Sequence, residues 1–223
     1  MWNNMNAVIF DMDGVLFDTE ALCMRAWMDV ADKWGLPGME EVFPRCIGLN
    51  ANDSRQIVFR AYGEHFDYPL FRKHAAAWFR DYVEKNGLPV KPGVREILEW
   101  LKESGYAVGL ASSTKEKDVR SHLEDTGLLD YFSVITTGDM VEHSKPRPDI
   151  YLMACERMGV EPAQAYAIED SPNGIRSAHA AGMCPVMVPD MIAPDEEMRH
   201  LSYIILKDLV EVRDFLRQRM EID

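Results

Sequence analysis

A small set of polar residues in this chain has the types and the spacing for phosphoryl chemistry. The set lies in four short stretches, DMDG, LASS, SKPRP and AIED, and comprises Asp11, Asp13, Ser112, Lys145, Glu169 and Asp170. Carboxylate oxygens are the ligands that a hard cation such as Mg²⁺ prefers, whereas a lysine and a serine hydroxyl suit a phosphoryl group. No cysteine or histidine signature of catalysis accompanies them. The set therefore predicts a Mg²⁺ site beside a phosphoryl-binding site.

The two aspartates of DMDG have complementary roles in such a reaction. Asp11 can attack phosphorus to give an aspartyl phosphate. Asp13 can protonate the leaving oxygen and later take a proton from water. Since carboxylates alone would repel a phosphate dianion, the cation, Lys145 and the helix amides after Ser112 are needed to offset that repulsion.

These residues follow the strands of an alternating strand and helix pattern. Apolar runs separated by amphipathic stretches predict five strands: AVIF, YAVGLA, SVITT, AYAI and PVMV. Alternation of this kind predicts a parallel sheet with helices on both faces. The carboxyl ends of its strands meet at the edge where open α/β sheets bind their ligands. The pattern therefore predicts that residues far apart in the sequence converge on one crevice.

The stretch between the first and the second strand has helical periodicity instead. Apolar residues recur at helical spacing from Asp18 to about Asn86, and NGLPVKPG, which follows, has the Gly and Pro content of a linker. This block is predicted to be an insertion in an α/β domain. We expect a Rossmann-like parallel sheet core formed by residues 1–17 and 88–223, with a helical cap domain inserted at residues 18–87.

Composition limits the partners and the compartment of the protein. A formal net charge of −13 over 223 residues argues against nucleic acid or an anionic membrane, but a small phosphorylated metabolite held by local cations remains compatible with it. The four cysteines form no C-x-x-C pair, so we expect reduced thiols in a cytoplasmic protein. The segment before Asp11 is too short and too polar for a signal peptide, and no later stretch resembles a membrane span. We expect a monomer.

Some hydroxyl residues near the site have an alternative role as helix caps. Ser113 and Glu116 form an S-x-x-E capping box, so Ser113 is predicted to cap the next helix, and Ser112 is the better phosphate ligand. Ser171 before Pro172 indicates an N-cap followed by proline at the first helical position.

The motifs together resemble those of haloacid dehalogenase-like hydrolases. DMDGVLFDTE is similar to the first motif of that family, and LASS, SKPRPDIY and IEDSPNGI follow in the family's order over almost the whole chain. The helical insertion after the first strand is similar to that of the beta-phosphoglucomutase-like subfamily. The resemblance implies a Mg²⁺-dependent phosphatase that hydrolyses small phosphate monoesters, such as sugar phosphates, through an aspartyl phosphate.

The resemblance also implies a role for each residue of the site. The nucleophile would be Asp11, on the central strand of the sheet, and the acid–base would be Asp13. The phosphoryl group would be bound by residues of the later motifs: Ser112, Ser113 and Lys145. The metal would be bound by Asp11, the Asp13 backbone carbonyl and Asp170, and Glu169 would support this set of ligands.

Substrate contacts are expected from a further group of residues: Thr19, Glu20, Asn50 and Lys115. The tract CIGLNANDS is similar to the cap loop that faces the core site in the family, which places Asn50 or Asn52 near the substrate. Thr19, like Asp18, is also predicted to be a helix cap.

Two departures from the subfamily bear on the type of reaction. Beta-phosphoglucomutases carry a histidine shortly after the DT pair and an arginine just beyond a cap glycine, where this chain has Cys23 and Ala51. Three hypotheses remain: a phosphatase, a beta-phosphoglucomutase-type phosphosugar mutase, and a non-catalytic phospho-acceptor or regulatory protein. The departures disfavour the mutase, although Arg45 or Arg55 would supply the missing cation if the cap loop is shifted. A phospho-acceptor has no use for a helical cap, so we expect a phosphatase.

Overall fold

The structure, a computed structural model, describes residues 5–47 and 51–220. It divides the chain into two compact units. The core unit comprises Met1–Phe17 and Val90–Asp223, and the helical unit comprises Asp18–Pro89. In the sequence, the helical unit is thus inserted between the first strand and the rest of the core unit. The assignment of these units as catalytic core and cap stays a prediction.

The described part of the core unit contains a sheet of six parallel strands. The strands are β1 (Ala7–Phe10), β2 (Ala107–Ser112), β3 (Val134–Thr137), β4 (Ala165–Glu169), β5 (Cys184–Met187) and β6 (Ile204–Ile205). Their order across the sheet is β3-β2-β1-β4-β5-β6. The predicted parallel α/β sheet is confirmed, and so is the central position of the strand that precedes Asp11.

The described residues of the helical unit form four α-helices. These are α1 (Thr19–Trp34), α2 (Met39–Val42), α3 (Ala51–Tyr62) and α4 (Tyr68–Asn86). Trp27 of α1 is 4% exposed, and its ring packs edge-to-face against Phe43 at 5.2 Å and Phe71 at 5.3 Å between ring centroids. Aromatic contacts of this kind give the helical unit an apolar centre of its own.

Helices flank the sheet of the core unit in alternation with its strands. They are α5 (Val94–Glu103), α6 (Glu116–Asp125), α7 (Asp149–Met158), α8 (Pro172–Ala180), α9 (Glu196–Leu201) and α10 (Leu209–Met220). Helix α5 has one apolar face, on which four residues are fully buried: Val94, Ile97, Leu98 and Leu101. Burial of such a face against the sheet, rather than helix propensity, supplies most of the stability of a short helix.

The strands of the site differ slightly from their predicted bounds. β1, β4 and β5 are buried along their whole length, as expected for strands covered on both faces. β2 and β4 each run one residue further than predicted, so Ser112 and Glu169 are the last residues of strands rather than the first residues of loops. The sequence does not predict β6, because two residues are too few to show a period.

Candidate active site

Asp11 lies directly after the central strand β1, at the carboxyl edge of the sheet. Its backbone amide donates a hydrogen bond of 2.9 Å to the carbonyl of Ile168 in β4. Ser112 ends β2 on one side of β1, and Glu169 ends β4 on the other. The structure therefore places three of the predicted residues at one edge of the sheet.

Lys145 connects the end of β1 with the end of β4. Its ammonium group donates to Asp11 Oδ1 at 2.5 Å, to Glu169 Oε1 at 2.6 Å and to the Ala111 carbonyl at 3.0 Å. The side chain is 6% exposed. Burial opposes the charge on the ammonium group, but the two carboxylates outweigh it and raise the pKa of Lys145 above its ordinary value. The site therefore holds a cation at neutral pH.

The Asp11 carboxyl group is perturbed by its surroundings. Burial is the largest influence and raises its pKa, Lys145 lowers it, and the carboxylates of Glu169 and Asp13 raise it again. The net pKa of Asp11 lies well above its ordinary value. Three buried carboxyl groups, those of Asp11, Glu169 and Asp170, thus lie beside the single ammonium group of Lys145, an arrangement that favours the binding of a further cation.

Glu169 is fully buried and is held through both of its carboxylate oxygens. Oε1 accepts hydrogen bonds from Lys145 and from the Tyr151 hydroxyl, the latter at 2.8 Å. Oε2 accepts from the Asp170 amide at 3.2 Å and from the amide and the hydroxyl of Ser171 at 3.3 and 3.2 Å. With both oxygens engaged, Glu169 is better suited to orienting its neighbours than to turning towards a metal.

Helix α8 begins against the Glu169 carboxylate. Ser171 is its N-cap, with a hydroxyl oxygen that accepts from the Gly174 amide at 3.1 Å, and Pro172 is the first helical residue, so the predicted cap is confirmed. A Cβ atom on Gly174 would overlap the Glu169 carboxylate. A glycine is therefore what lets the first turn of α8 approach this carboxylate so closely.

Three buried carboxylates lie close enough together to share a metal ion. Asp11, Glu169 and Asp170 each offer one oxygen, and these oxygens lie within 4.8 Å of one another. Mg²⁺ binds oxygen at about 2.1 Å, which puts ligands on opposite sides of the ion roughly 4.2 Å apart. A Cβ atom on Gly14 would overlap the Asp170 carboxylate, so the loop after β1 also lies against this group. The oxygen donors of this cluster are of the kind that Mg²⁺ binds, and the 4.8 Å limit on their separation lies close to the distance between opposite ligands of the ion.

The Asp13 side chain lies outside this group of three carboxylates. It is half-buried, and its Oδ2 accepts a hydrogen bond of 2.8 Å from the Thr114 hydroxyl. A carboxyl group that is separate from this cluster is suited to proton transfer. The predicted roles of Asp13, as the acid–base through its side chain and as a metal ligand through its backbone carbonyl, stay predictions.

The segment after β2 differs from its prediction. Ser112 is fully buried, and its hydroxyl oxygen accepts from the Thr114 amide at 3.1 Å. The prediction that Ser113 caps the next helix is wrong: α6 begins at Glu116, and Asp139 accepts the hydrogen bond from the Glu116 amide at 3.0 Å. Asp139 follows β3 and reaches this helix end from the neighbouring loop. Ser113 is exposed, and its role in phosphate binding stays a prediction.

The expected substrate residues are spread over both units. Lys115 is exposed at the start of α6 in the core unit. Thr19 and Glu20 begin α1 in the helical unit, and Asn50 lies outside the described residues. Asp18 occupies the N-cap position of α1 as predicted, although its side chain accepts no capping hydrogen bond. The prediction that Thr19 is also a cap is wrong, because Thr19 is the first residue of the helix itself. The substrate contacts stay predictions.

A family model confirms the resemblance that the motifs carry. Residues 8–188 match the model described as haloacid dehalogenase-like hydrolase, and this range contains all four motifs together with the helical unit. The chain belongs to the haloacid dehalogenase-like hydrolases. Within them it falls in the beta-phosphoglucomutase-like subfamily.

Individual members of the haloacid dehalogenase-like hydrolases support this placement. A phosphorylated carbohydrates phosphatase of Thermotoga maritima is 36% identical over 183 residues, which cover 80% of this chain and 82% of the relative. A beta-phosphoglucomutase of Bacillus subtilis is 31% identical over a stretch that covers 98% of this chain and 100% of the relative. A crystal structure of a candidate beta-phosphoglucomutase from Thermotoga maritima has a TM-score of 0.79 at 32% identity, with 96% and 99% covered. This haloacid dehalogenase-like hydrolase is an enzyme of the phosphatase type.

The structure also shows polar groups in this hydrolase that sequence reasoning missed. Tyr151 donates to Glu169, and its ring centroid lies 5.0 Å from the Lys145 ammonium group. Thr114 donates to Asp13. A signal existed in both cases, because Tyr151 ends the same motif as Lys145, and Thr114 lies two residues after Ser112. A tyrosine or a threonine does not by itself indicate an active site, so neither residue can be recognised until its position at the carboxyl edge of the sheet is known.

Proposed function

We propose that this enzyme is a Mg²⁺-dependent phosphatase that hydrolyses phosphorylated carbohydrates through an aspartyl phosphate on Asp11. The observation that carries the proposal is the contact of Lys145 with Asp11 and Glu169 at the carboxyl edge of the sheet. This contact places a buried cation beside Asp11, the carboxylate that we propose attacks phosphorus. The carboxylates of Glu169 and Asp170 lie close to Asp11 as well. The named substrate class of the Thermotoga maritima relative supports phosphorylated carbohydrates as the substrate class.

The proposed reaction has two steps, and both use the residues of the core unit. In the first, an Asp11 oxygen attacks phosphorus, the bond from phosphorus to the sugar oxygen breaks, and Asp13 gives its proton to that oxygen. In the second, Asp13 takes a proton from water, the water oxygen attacks phosphorus, and Asp11 is released with inorganic phosphate. Lys145 and Ser112 hold the phosphoryl oxygens and offset their charge in both steps.

The proposed ligands of Mg²⁺ are Asp11, Asp170 and the Asp13 backbone carbonyl. Glu169 would orient these ligands through its hydrogen bonds to Lys145 and to the Asp170 amide. When bound, the ion supplies positive charge that offsets the repulsion between the carboxylates and the phosphoryl oxygens. Positive charge at this place also favours the ionised form of Asp11 and so opposes the effect of burial, which raises the pKa of this carboxyl group.

The mutase is the second candidate, because the Bacillus subtilis relative carries that name. A mutase has to protect the aspartyl phosphate from water and to bind a substrate that carries a second phosphate, which calls for a dedicated cation in the cap. Cys23 and Ala51 stand where the mutases have their histidine and arginine. These departures favour net hydrolysis over isomerisation. A non-catalytic phospho-acceptor is disfavoured by the phosphatase relatives.

Removal of the metal tests the proposed site. Since the proposed ligands, Asp11, Asp170 and the Asp13 backbone carbonyl, offer only oxygen atoms, we expect phosphate release from sugar phosphates to require Mg²⁺ and to stop in excess EDTA. Activity should return when Mg²⁺ is added beyond the chelator, and this return is the control against irreversible damage. Full activity in excess EDTA would contradict the metal assignment.

The cellular setting of the enzyme is a prediction as well. Among residues 5–47 and 51–220, no helix has the length and apolar character needed to cross a bilayer. All four cysteines are free thiols, which supports a reducing compartment. A cytoplasmic monomer stays our expectation.

A further inference from the structure

We propose that Lys91 is a positioning residue of the active site, and that Asp190 is the counter-ion that holds it in place. Lys91 lies where the chain enters the core unit after the helical unit, and it belongs to none of the four motifs. Its proposed role is to fix the loop that follows β1. It touches neither the phosphoryl group nor the metal.

Lys91 binds the loop after β1 at two points. Its backbone amide donates to the Leu16 carbonyl at 2.9 Å, and its ammonium group donates to the Gly14 carbonyl at 2.7 Å. The same ammonium group forms an ion pair with Asp190 Oδ1 at 2.5 Å. Because Asp190 comes shortly after β5, Lys91 joins the loops that follow two different strands.

This ion pair is shielded from water, unlike an ordinary surface pair. The side chains of Lys91 and Asp190 are 20% and 16% exposed. The other oxygen, Asp190 Oδ2, is buried and accepts no hydrogen bond from the part of the chain that the structure describes. A carboxylate in this position depends on the lysine to offset its charge. The pair therefore holds the ammonium group within hydrogen-bond distance of the Gly14 carbonyl, whereas an exposed lysine side chain would remain mobile in solvent.

The loop that Lys91 holds carries two parts of the site. Asp13 directly precedes Gly14, so its backbone carbonyl lies one peptide before the Gly14 carbonyl that Lys91 binds. Gly14 also packs against the Asp170 carboxylate with no space for a Cβ atom. A shift of Gly14 would therefore disturb Asp13 and Asp170 together. The inference rests on the proposed function only for the roles of these two aspartates.

Lys91→Met tests the role, because it keeps most of the side-chain volume while removing the Gly14 hydrogen bond and the charge. The Gly14 and Leu16 amides bond within the loop, to Phe17 and Met12, so they report its opening. We expect hydrogen exchange to show faster exchange of these two amides. We expect calorimetric titration of the folded variant with Mg²⁺ to show about 10-fold weaker binding, with a similar fall in kcat.

Three further variants serve as controls. Lys85→Met removes a Lys–Asp pair of 2.8 Å whose side chains are 67% and 62% exposed, and it should leave both measurements unchanged. Lys91→Arg keeps a charged donor and should lie closer to wild type than Lys91→Met. Asp190→Asn should also weaken Mg²⁺ binding. Added to Lys91→Met, it should reduce Mg²⁺ affinity by less than it does in the wild type, since the two residues act as a pair.

Two results separate this inference from a merely structural role and from the proposed function. If Lys91→Met lowers the melting temperature but leaves Mg²⁺ affinity and loop exchange in the folded protein at wild-type values, the positioning role is wrong. If Lys91→Met does not fold, Lys91→Arg and Asp190→Asn decide the question by the same two measurements. If the wild type releases no phosphate while both measurements change as expected, the positioning role stands and the proposed function falls.

Discussion

Asp11→Asn is expected to reduce phosphate release by about 10⁴- to 10⁶-fold while the protein stays folded. An asparagine has the shape of the aspartate, but its amide cannot attack phosphorus, and it is a poorer metal ligand. The loss should appear in kcat. Asp130→Asn, at an exposed position of the core unit, is the control and should keep wild-type turnover.

The same variant has an expected effect on stability, and its sign follows from the raised pKa of Asp11. A carboxyl group whose pKa is higher in the folded state destabilises the fold as pH rises from its unfolded pKa through its folded one. Asp11→Asn removes this contribution, so in EDTA at pH 7 it should melt no lower than wild type. Turnover near wild type with a normal melting curve would mean that another group attacks phosphorus.

Lys145→Met is expected to cause the largest loss of stability among the substitutions in the site. It leaves Asp11 and Glu169 buried without their shared cation, and breaking a buried pair in this way costs about 3–5 kcal/mol of unfolding free energy. Turnover should fall by about 10²- to 10³-fold as well, since a donor to the phosphoryl group is lost. Urea unfolding and steady-state kinetics measure the two effects.

The pH dependence of Lys145→Met gives a further check on the cause. The pKa of Lys145 is raised, so its contribution in the wild type is fully present below its unfolded pKa and is lost only in alkaline solution. In the variant, the stability deficit should shrink as pH falls and the unpaired carboxylates take up protons, and it should also shrink when Mg²⁺ is added. Lys117→Met, at an exposed position on α6, is the control. If the unfolding free energy of Lys145→Met lies within about 1 kcal/mol of the wild-type value at pH 7, the buried ion pair does not contribute to the stability of the fold as expected.

Much of the core unit was predictable from the sequence because its signals are local. The apolar run that ends before Asp11 gives a buried central strand, and the same reasoning gives β2 and β4. Once the strands are known to be parallel, the convergence of Ser112 and Glu169 on Asp11 follows from geometry alone. Ser171 followed by Pro172 is a local signal too, and it predicts the start of α8 correctly.

The failed prediction for Ser113 and the unpredicted role of Lys91 both concern contacts between distant parts of the chain. Ser113 has the right sequence for a capping box, but Asp139 from another loop takes the amide of Glu116. Lys91 lies in a linker-like stretch, and its contacts with Gly14 and Asp190 exist only because the sheet brings their loops together. A single sequence gives no signal for such pairs, since each member is an ordinary charged residue until its partner is known.

The most direct test of the proposed phosphatase activity is to follow two products together. One is inorganic phosphate, and the other is the isomerised sugar phosphate. The substrates are beta-glucose 1-phosphate and a panel of other sugar phosphates, supplied with Mg²⁺ and a trace of the sugar bisphosphate. We expect phosphate release from several sugar phosphates, with no isomerisation. Glucose 6-phosphate that accumulates much faster than inorganic phosphate would contradict the phosphatase and establish the mutase in its place.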